Sequence, residues 1–339
     1  VTDGAPGEDE PLVTVIGEAL IDLVANGGPC DFQARPGGSP FNVAVGLARL
    51  GRHTALMARL ADNAFGRLLR EHAEAEGIDL SRAAHAHEAT TLAAVSLDTE
   101  ARASYDFYGQ GTADWQWTAA EAARVPDRTS VLHFGSLASW IPPGDGYIHA
   151  AVTSVRDRGE ALVSYDPNVR PSLMPDRARA RSMVERSVAT AHLVKASRED
   201  VEWLYPGGVR QAGLRWTELG ARLVVVTDGP DGAHAFRADG SALDRPGRKA
   251  AVADTVGAGD AFTAGLLSAL VRRGLHAPEP LAGASTGDLA AALDEAVLVS
   301  ALTCERIGAD PPVARPRPGV PAGTPLTAAD LGTKETPAG

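Results

Sequence analysis

The chain has 339 residues, 44% hydrophobic and 22% charged, enough for one large core or for a domain with a lid. Its formal charge of −11 argues against non-specific binding to nucleic acid or anionic membranes, so any anion site must be built from local dipoles and a few cations. Two cysteines only, Cys30 and Cys304, lie far apart and outside metal-ligand spacing, and neither a signal peptide nor a long apolar run is visible; a cytoplasmic protein without a membrane span is expected.

Residues 1–10 are acidic and read as a loose tail. Residues 12–17 (LVTVIG) read as a buried strand, and 21–24 as a second, short one. Ser39 is expected to cap a helix running to Leu50, with Pro40 in its first position and Gly51 past its end. A second helix spans 65–76 and closes at Gly77. Residues 90–97 and 104–108 read as paired strands across a polar turn. From residue 130 the pattern changes. Strands at 131–134, 161–165, 193–195 and 223–227 alternate with helices at 147–158, 176–189 and 198–204, which predicts a parallel α/β sheet covered on both faces. The early β-rich segments, about 18–36 and 88–117, do not fit that sheet and are expected to form a small β-sheet lid. The domain is placed at 11–315, with flexible tails at 1–10 and 316–339.

The densest chemistry lies in DTVGAGDAFTAGLL, from Asp254 to Leu267. Gly257 and Gly259 precede a helical run in which Phe262, Gly265, Leu266, Ala269 and Leu270 share one face. Arg272, Arg273 and Gly274 suit the C-terminal end of that helix. Its glycine-rich start exposes backbone N–H groups to the positive end of the helix dipole, a natural anion site. Asp260 in the first turn is either an ordinary dipole partner or a base beside an oxyanion hole. Other segments carry the same ambiguity. GGSPFN, with Gly37, Gly38 and Asn42, is a capped turn or a place where a ligand approaches the backbone and meets an amide that can donate and accept. Asp22, in GEALIDL, is a loop acid or an acceptor for hydroxyls. DPNVRP places Asp166, Asn168 and Arg170 after a parallel strand, where open α/β sheets hold ligands. Ser197 and Asp200 explain themselves as a cap and a first-turn acid. There is no Walker A pattern, and Ser285 in G-A-S-T-G reads as a loop or cap residue.

Taken in order, these segments resemble the ribokinase/fructokinase (PfkB) family of sugar kinases across residues 12–312, most closely its bacterial fructokinases. The resemblance implies a doubly wound, mostly parallel α/β sheet with a small β-sheet lid, and transfer of the ATP γ-phosphate to a sugar primary hydroxyl. Asp260 would act as base, and the backbone at Gly257, Ala258 and Gly259 would stabilise the transferring group. Asp22, Gly37, Gly38, Asn42, Phe107, Asn168 and Arg170 would meet the sugar, while Trp115 and Trp117 would pack. Lys195, Ser197, Thr227, Gly229, Gly232, Gly257 and Gly259 would meet ATP, with the stretch 304–312 walling the adenine. Asp200 would order Mg²⁺ through water, and Asp254 is the candidate ligand for K⁺. Fructose is the expected acceptor, followed by 2-keto-3-deoxygluconate held by Arg170, then a nucleoside; a regulator without catalysis is the remaining alternative. Sugar and ATP are the expected partners, with no nucleic acid or membrane, and a homodimer through the lid is implied.

Overall fold

A computed structural model of the chain describes residues 10–25, 30–97, 103–174, 176–321 and 323–334. The expected tail at 1–9, the last residues 335–339, the lid stretches 26–29 and 98–102, and the Tyr105 side chain lie outside the described residues. The chain opens with β1 (Leu12–Ile16), β2 (Leu20–Ala25), β3 (Phe32–Gly37) and α1 (Ser39–Arg49). It continues through β4 (Thr54–Met57), β5 (Arg59–Ala61), α2 (Ala64–Ala75), β6 (Ala84–Ala86), β7 (Leu92–Leu97), β8 (Ala103–Tyr108) and α3 (Ala119–Ala122). Regular alternation follows, with β9 (Thr129–Gly135), α4 (Asp145–Arg158), β10 (Leu162–Asp166), α5 (Arg177–Val188), β11 (Leu193–Ser197), α6 (Arg198–Leu204), α7 (Gly208–Glu218) and β12 (Leu223–Thr227). The hairpin β13 (Gly232–Arg237) and β14 (Ala242–Pro246) leads to α8 (Ala258–Arg272), α9 (Pro278–Ala282), α10 (Thr286–Cys304), β15 (Val313–Ala314) and β16 (Leu331–Gly332).

The main sheet has the order β14-β13-β12-β11-β10-β9-β1-β4. All strands from β12 to β4 are parallel, and the hairpin adds two antiparallel strands at one edge. Both faces are covered, and the strands are therefore apolar at successive positions. On β12, Leu223 and Val225 face a core shared with α1, α2, α8 and α10, while Val224 and Val226 face a second core shared with α4, α5, α6 and α7. Helix α8 departs from the expectation of one apolar face: every residue from 261 to 271 is buried. The reason is its central place between α1, α10 and the sheet. Glycines permit that approach, since a Cβ on Gly46 would lie 2.7 Å from Ala264 Cβ, and one on Gly265 would lie 3.0 Å from Ala296 Cα.

The two early β-rich segments meet as expected, in a four-stranded sheet ordered β3-β2-β7-β8. Ile21 lies opposite Leu92, and Ala93 opposite Phe107. The described part of the stretch from 316 onward, expected as a loose tail, packs on the domain. β15 pairs with β16, Leu326 and Leu331 join the first core, and Arg317 pairs with Asp330 at 3.2 Å. Two leucines spaced along a Pro- and Gly-rich stretch suffice to dock it, a signal that bulk composition hides. Among the described residues, no helix is long and apolar enough to cross a membrane.

Candidate active site

The C-terminal ends of the parallel strands open into a cleft of about 1210 Å³, where open α/β sheets hold ligands. β1 leads to Glu18, β9 to Ser136 and β10 to Asn168, while β11 ends at Ser197 and β12 at Thr227; all line the cleft. The small sheet contributes Asp22 and Phe107, and the starts of α1 and α8 contribute Gly38, Ser39, Asn42 and the run Gly257 to Asp260.

Asp260 is held from both sides by α1. Ser39 Oγ donates to Asp260 Oδ1 at 2.6 Å, and Asn42 Nδ2 donates to Asp260 Oδ2 at 2.9 Å. This corrects the expected role of Ser39. Gly38, with φ of 100°, is the N-cap; Ser39 is the first helical residue and Pro40 the second, so the hydroxyl is directed to Asp260 instead of to its own helix. Burial raises the Asp260 carboxyl above its ordinary value, against the hydrogen bonds from Ser39 and Asn42 and the Lys195 charge, which lower it. The result is a fixed carboxylate with strengthened basicity.

Beside it, α8 starts from Gly257 in the left-handed region at φ 75°, with no side-chain cap. A Cβ there would also lie 2.5 Å from Ala309 Cβ. Of the amides expected to face phosphate, that of Ala258 donates back to Thr255 O at 3.2 Å, within the turn. Lys195 Nζ stands 3.0 Å from where a Cβ on Gly259 would lie, so the glycine leaves the cation room at the helix start. Lys195 is buried against Asp166 at 2.9 Å. Burial alone would lower the ammonium pKa, but Asp166, with Asp260 and Asp200, more than offsets it and keeps Lys195 charged. Asp166 also accepts from Asn168 N at 3.1 Å. Asn168 adopts φ of 40° and donates from Nδ2 to Ser136 Oγ at 3.0 Å. Arg170 Nη1 donates to Val169 O at 3.0 Å and to Asn168 O at 3.4 Å.

At the end of the cleft lined by the small sheet, burial pushes Asp22 up to about 6, with Asp260 adding and Arg170 opposing. Gly37 does not line the cleft: a Cβ there would lie 2.2 Å from Asp22 Oδ2, so the glycine makes room for that carboxylate. Trp115 and Trp117 pack in the second core, as expected, while Phe107 lines the cleft. Sequence reasoning gave no role to Glu18, although it sits in the same GEALIDL stretch as Asp22. Glu18 is buried, accepts from Ala138 N at 3.0 Å, and is pushed up to about 7 by burial.

At the other end, Ser197, Thr227, Gly229 and Gly232 line the wall, with Val297, Ala301 and Cys304 supplying an apolar patch. Arg248 and Lys249 also line it and were missed, although a basic pair after a strand was visible in the sequence. Ser197 and Asp200 form a capping box. Asp200 also accepts from Val169 N at 3.0 Å and is pushed up to about 6 by burial, then by Asp166. Asp254 lies outside the cleft wall; its carboxylate accepts from Val256 N at 3.0 Å and from Gly308 N at 2.8 Å, tying the α8 entry loop to the segment after α10. Among the described residues no group of three or more His, Cys, Asp or Glu could hold a metal directly. The cleft thus joins a fixed carboxylate, a cationic helix start and an apolar patch, a set that suits phosphoryl transfer from a nucleotide.

Comparison with known proteins agrees. The chain is 36% identical over 263 residues to a fructokinase of Rhizobium leguminosarum bv. trifolii, covering 76% of this chain and 79% of that one. The structure of fructokinase from Xylella fastidiosa with bound ATP superposes with a TM-score of 0.80 at 27% identity, covering 88% and 93% of the two chains. A double mutant of fructokinase from Vibrio cholerae O395, in its fructose, ADP and potassium ion bound form, gives a TM-score of 0.77 at 28% identity, covering 88% and 94%. The family model for pfkB family carbohydrate kinases matches residues 10–315, and this chain belongs to that family.

Proposed function

We propose that this kinase transfers the γ-phosphate of ATP to the 6-hydroxyl of fructose, giving fructose 6-phosphate and ADP. The observation that carries the proposal is Asp260, gripped by Ser39 and Asn42 at the start of α8. Asp260 takes the hydroxyl proton as the sugar oxygen bonds to the γ-phosphorus. The bond from that phosphorus to its bridging oxygen breaks, and ADP leaves with the electron pair. The N-terminus of α8 and the Lys195 ammonium face the charge on the transferring group. Mg²⁺ bound with the nucleotide would supply positive charge against the phosphates. The donor set fits an ion carried by phosphates and water, with Asp200 as the acid that would reach it through water. A K⁺ ion would draw on main-chain oxygens near Asp254, whose carboxylate is committed to two amides. The small sheet acts as a lid carrying Asp22 and Phe107 to the sugar and excluding water. It also offers a face for a homodimer. Two free cysteines, Cys30 exposed and Cys304 half-buried, suit a reducing cytoplasm.

Fructose is favoured over the sugar acid because Asp22 and Asp260 place two carboxylates at the sugar end, and Arg170 is engaged by backbone carbonyls. The fructokinases among the relatives support the same choice. An ATP-consumption panel tests it: fructose should give the highest kcat/KM among fructose, 2-keto-3-deoxygluconate and nucleosides. A higher value for the sugar acid, abolished by Arg170→Leu, overturns the assignment.

A further inference from the structure

Away from the cleft, four arginines wall a second cavity of about 400 Å³. Arg52 lies just past α1, Arg272 ends α8, and Arg315 and Arg317 lie on the segment after β15. In a chain of formal charge −11, such a gathering of cations runs against the surrounding surface. The nearby carboxylates do not balance it. Arg317 pairs with Asp330 at 3.2 Å, but Arg52 reaches Glu10 only at 4.0 Å, and Arg272 shares Glu295 with Arg273. Arg315 has no carboxylate partner among the described residues.

Two further observations point to a ligand. The Nε–H groups of Arg52 and Arg272 are buried and without a hydrogen-bond partner among the described residues. Buried donors are normally satisfied, and these two belong to side chains of the cavity wall. Burial pushes the Arg272 guanidinium down to about 10; Arg52, Arg273 and Arg317 add to that against the attraction of Glu295, so an anion would relieve the crowding. The rest of the wall is largely apolar, with Leu50, Pro316, Val320, Pro321 and Leu326. The volume falls within the roughly 300–1,000 Å³ of small-molecule sites.

We propose that this cavity binds a small phosphate-bearing anion, either inorganic phosphate or a sugar phosphate ester, at a site separate from the cleft. Planar guanidinium groups match phosphate oxygens in paired hydrogen bonds, and burial strengthens them. The C-terminal ends of α1 and α8 carry partial negative charge and oppose an anion, which is why several arginines are needed there. The occupant would join the far ends of the two helices whose starts hold Ser39, Asn42 and Asp260. At ~1.5 Å per residue those helices, 11 and 15 residues long, separate the two sites by roughly 16–22 Å.

The test is calorimetry and thermal shift on the full chain, with the cleft saturated by a non-hydrolysable ATP analogue and fructose, at constant ionic strength in KCl. Inorganic phosphate and fructose 6-phosphate are titrated separately. At least one should bind saturably and raise Tm, and the tighter of the two identifies the source. Arg315→Gln should weaken that binding at least tenfold, while Arg248→Gln and Asp22→Asn, at the two ends of the cleft, should leave it unchanged. Arg315 has no carboxylate partner to strand, so the variant should keep its fold and its phosphate-free turnover. The proposal fails if neither anion binds, if chloride at equal ionic strength gives the same shift, if Arg315→Gln has no effect, or if either cleft variant removes the binding.

Discussion

Replacing Ser39 by alanine removes the hydroxyl from Asp260 Oδ1 and leaves the Asn42 amide on Oδ2. Hydrogen bonds to charged groups contribute about 1.5–3 kcal/mol net. Each 1.36 kcal/mol shifts a protonation equilibrium about tenfold, so the acid limb of kcat should move up by roughly 1–2 pH units. The direction follows from the geometry: the Ser39 bond lowers a carboxyl that burial holds above its ordinary value of 3.8, and losing it favours the protonated, inactive form. Because the folded value is raised, the folded chain binds this proton more tightly than the unfolded chain. The group's contribution to stability therefore falls as pH rises from 3.8 through the folded value, and the variant extends that window upward. The assay is ADP release against pH from about 5 to 9, with sugar and ATP saturating. Turnover on the alkaline plateau should stay within about threefold of wild type, while turnover on the acid side of the wild-type limb falls about tenfold or more. If Ser39 were a helix cap, alanine would cost ~0.5–2 kcal/mol of stability and leave the limb in place. A lowered Tm with an unmoved limb would refute the reasoning.

Asp260→Asn keeps the shape and removes the proton acceptor, so kcat should fall by ~10²–10⁴ while fructose and ATP still bind by calorimetry; near-normal turnover would remove Asp260 from the base role. Gly37→Ala would set a Cβ 2.2 Å from Asp22 Oδ2 and displace that carboxylate. Its KM for fructose should rise by about tenfold or more with a smaller change in kcat, and an unchanged KM would show that Asp22 does not hold the sugar. Hydrogen exchange should slow together in β2, β3, β7 and β8 when fructose binds, with less change in the outer helices; protection confined to the loop at Gly257 would argue against a closing lid.

Much of the architecture was legible because it rests on local periodicity. Strand and helix alternation from residue 130 onward identified β9 to β12 and the helices α4, α5 and α6 but not α7, and α6 occupies the very residues expected of it, Arg198–Leu204. The turn at Gly257 was readable because glycines at a helix start, followed by a first-turn acid, form one contiguous pattern. Asn42 stood out because helix capping explained its neighbours but not it. The same capping logic misled at Ser39, whose type and position satisfy a cap that the backbone assigns to Gly38.

By itself, the sequence determined the strand and helix alternation, the family and the segment that carries Asp260. Only the tertiary structure decided what that carboxylate touches. Ser39 and Asp260 are 221 residues apart and Asn42 and Asp260 are 218 apart, and no local pattern encodes contacts at that range. The burial of Lys195 against Asp166, the service of Gly37 to Asp22, the docking of Leu326 and Leu331, and the meeting of Arg52, Arg272, Arg315 and Arg317 around one cavity are of the same kind. Secondary structure follows from turns and periods a few residues long. Sites follow from which chain ends the packing of α1 against α8 and the sheet brings together, and that is a property of the whole core.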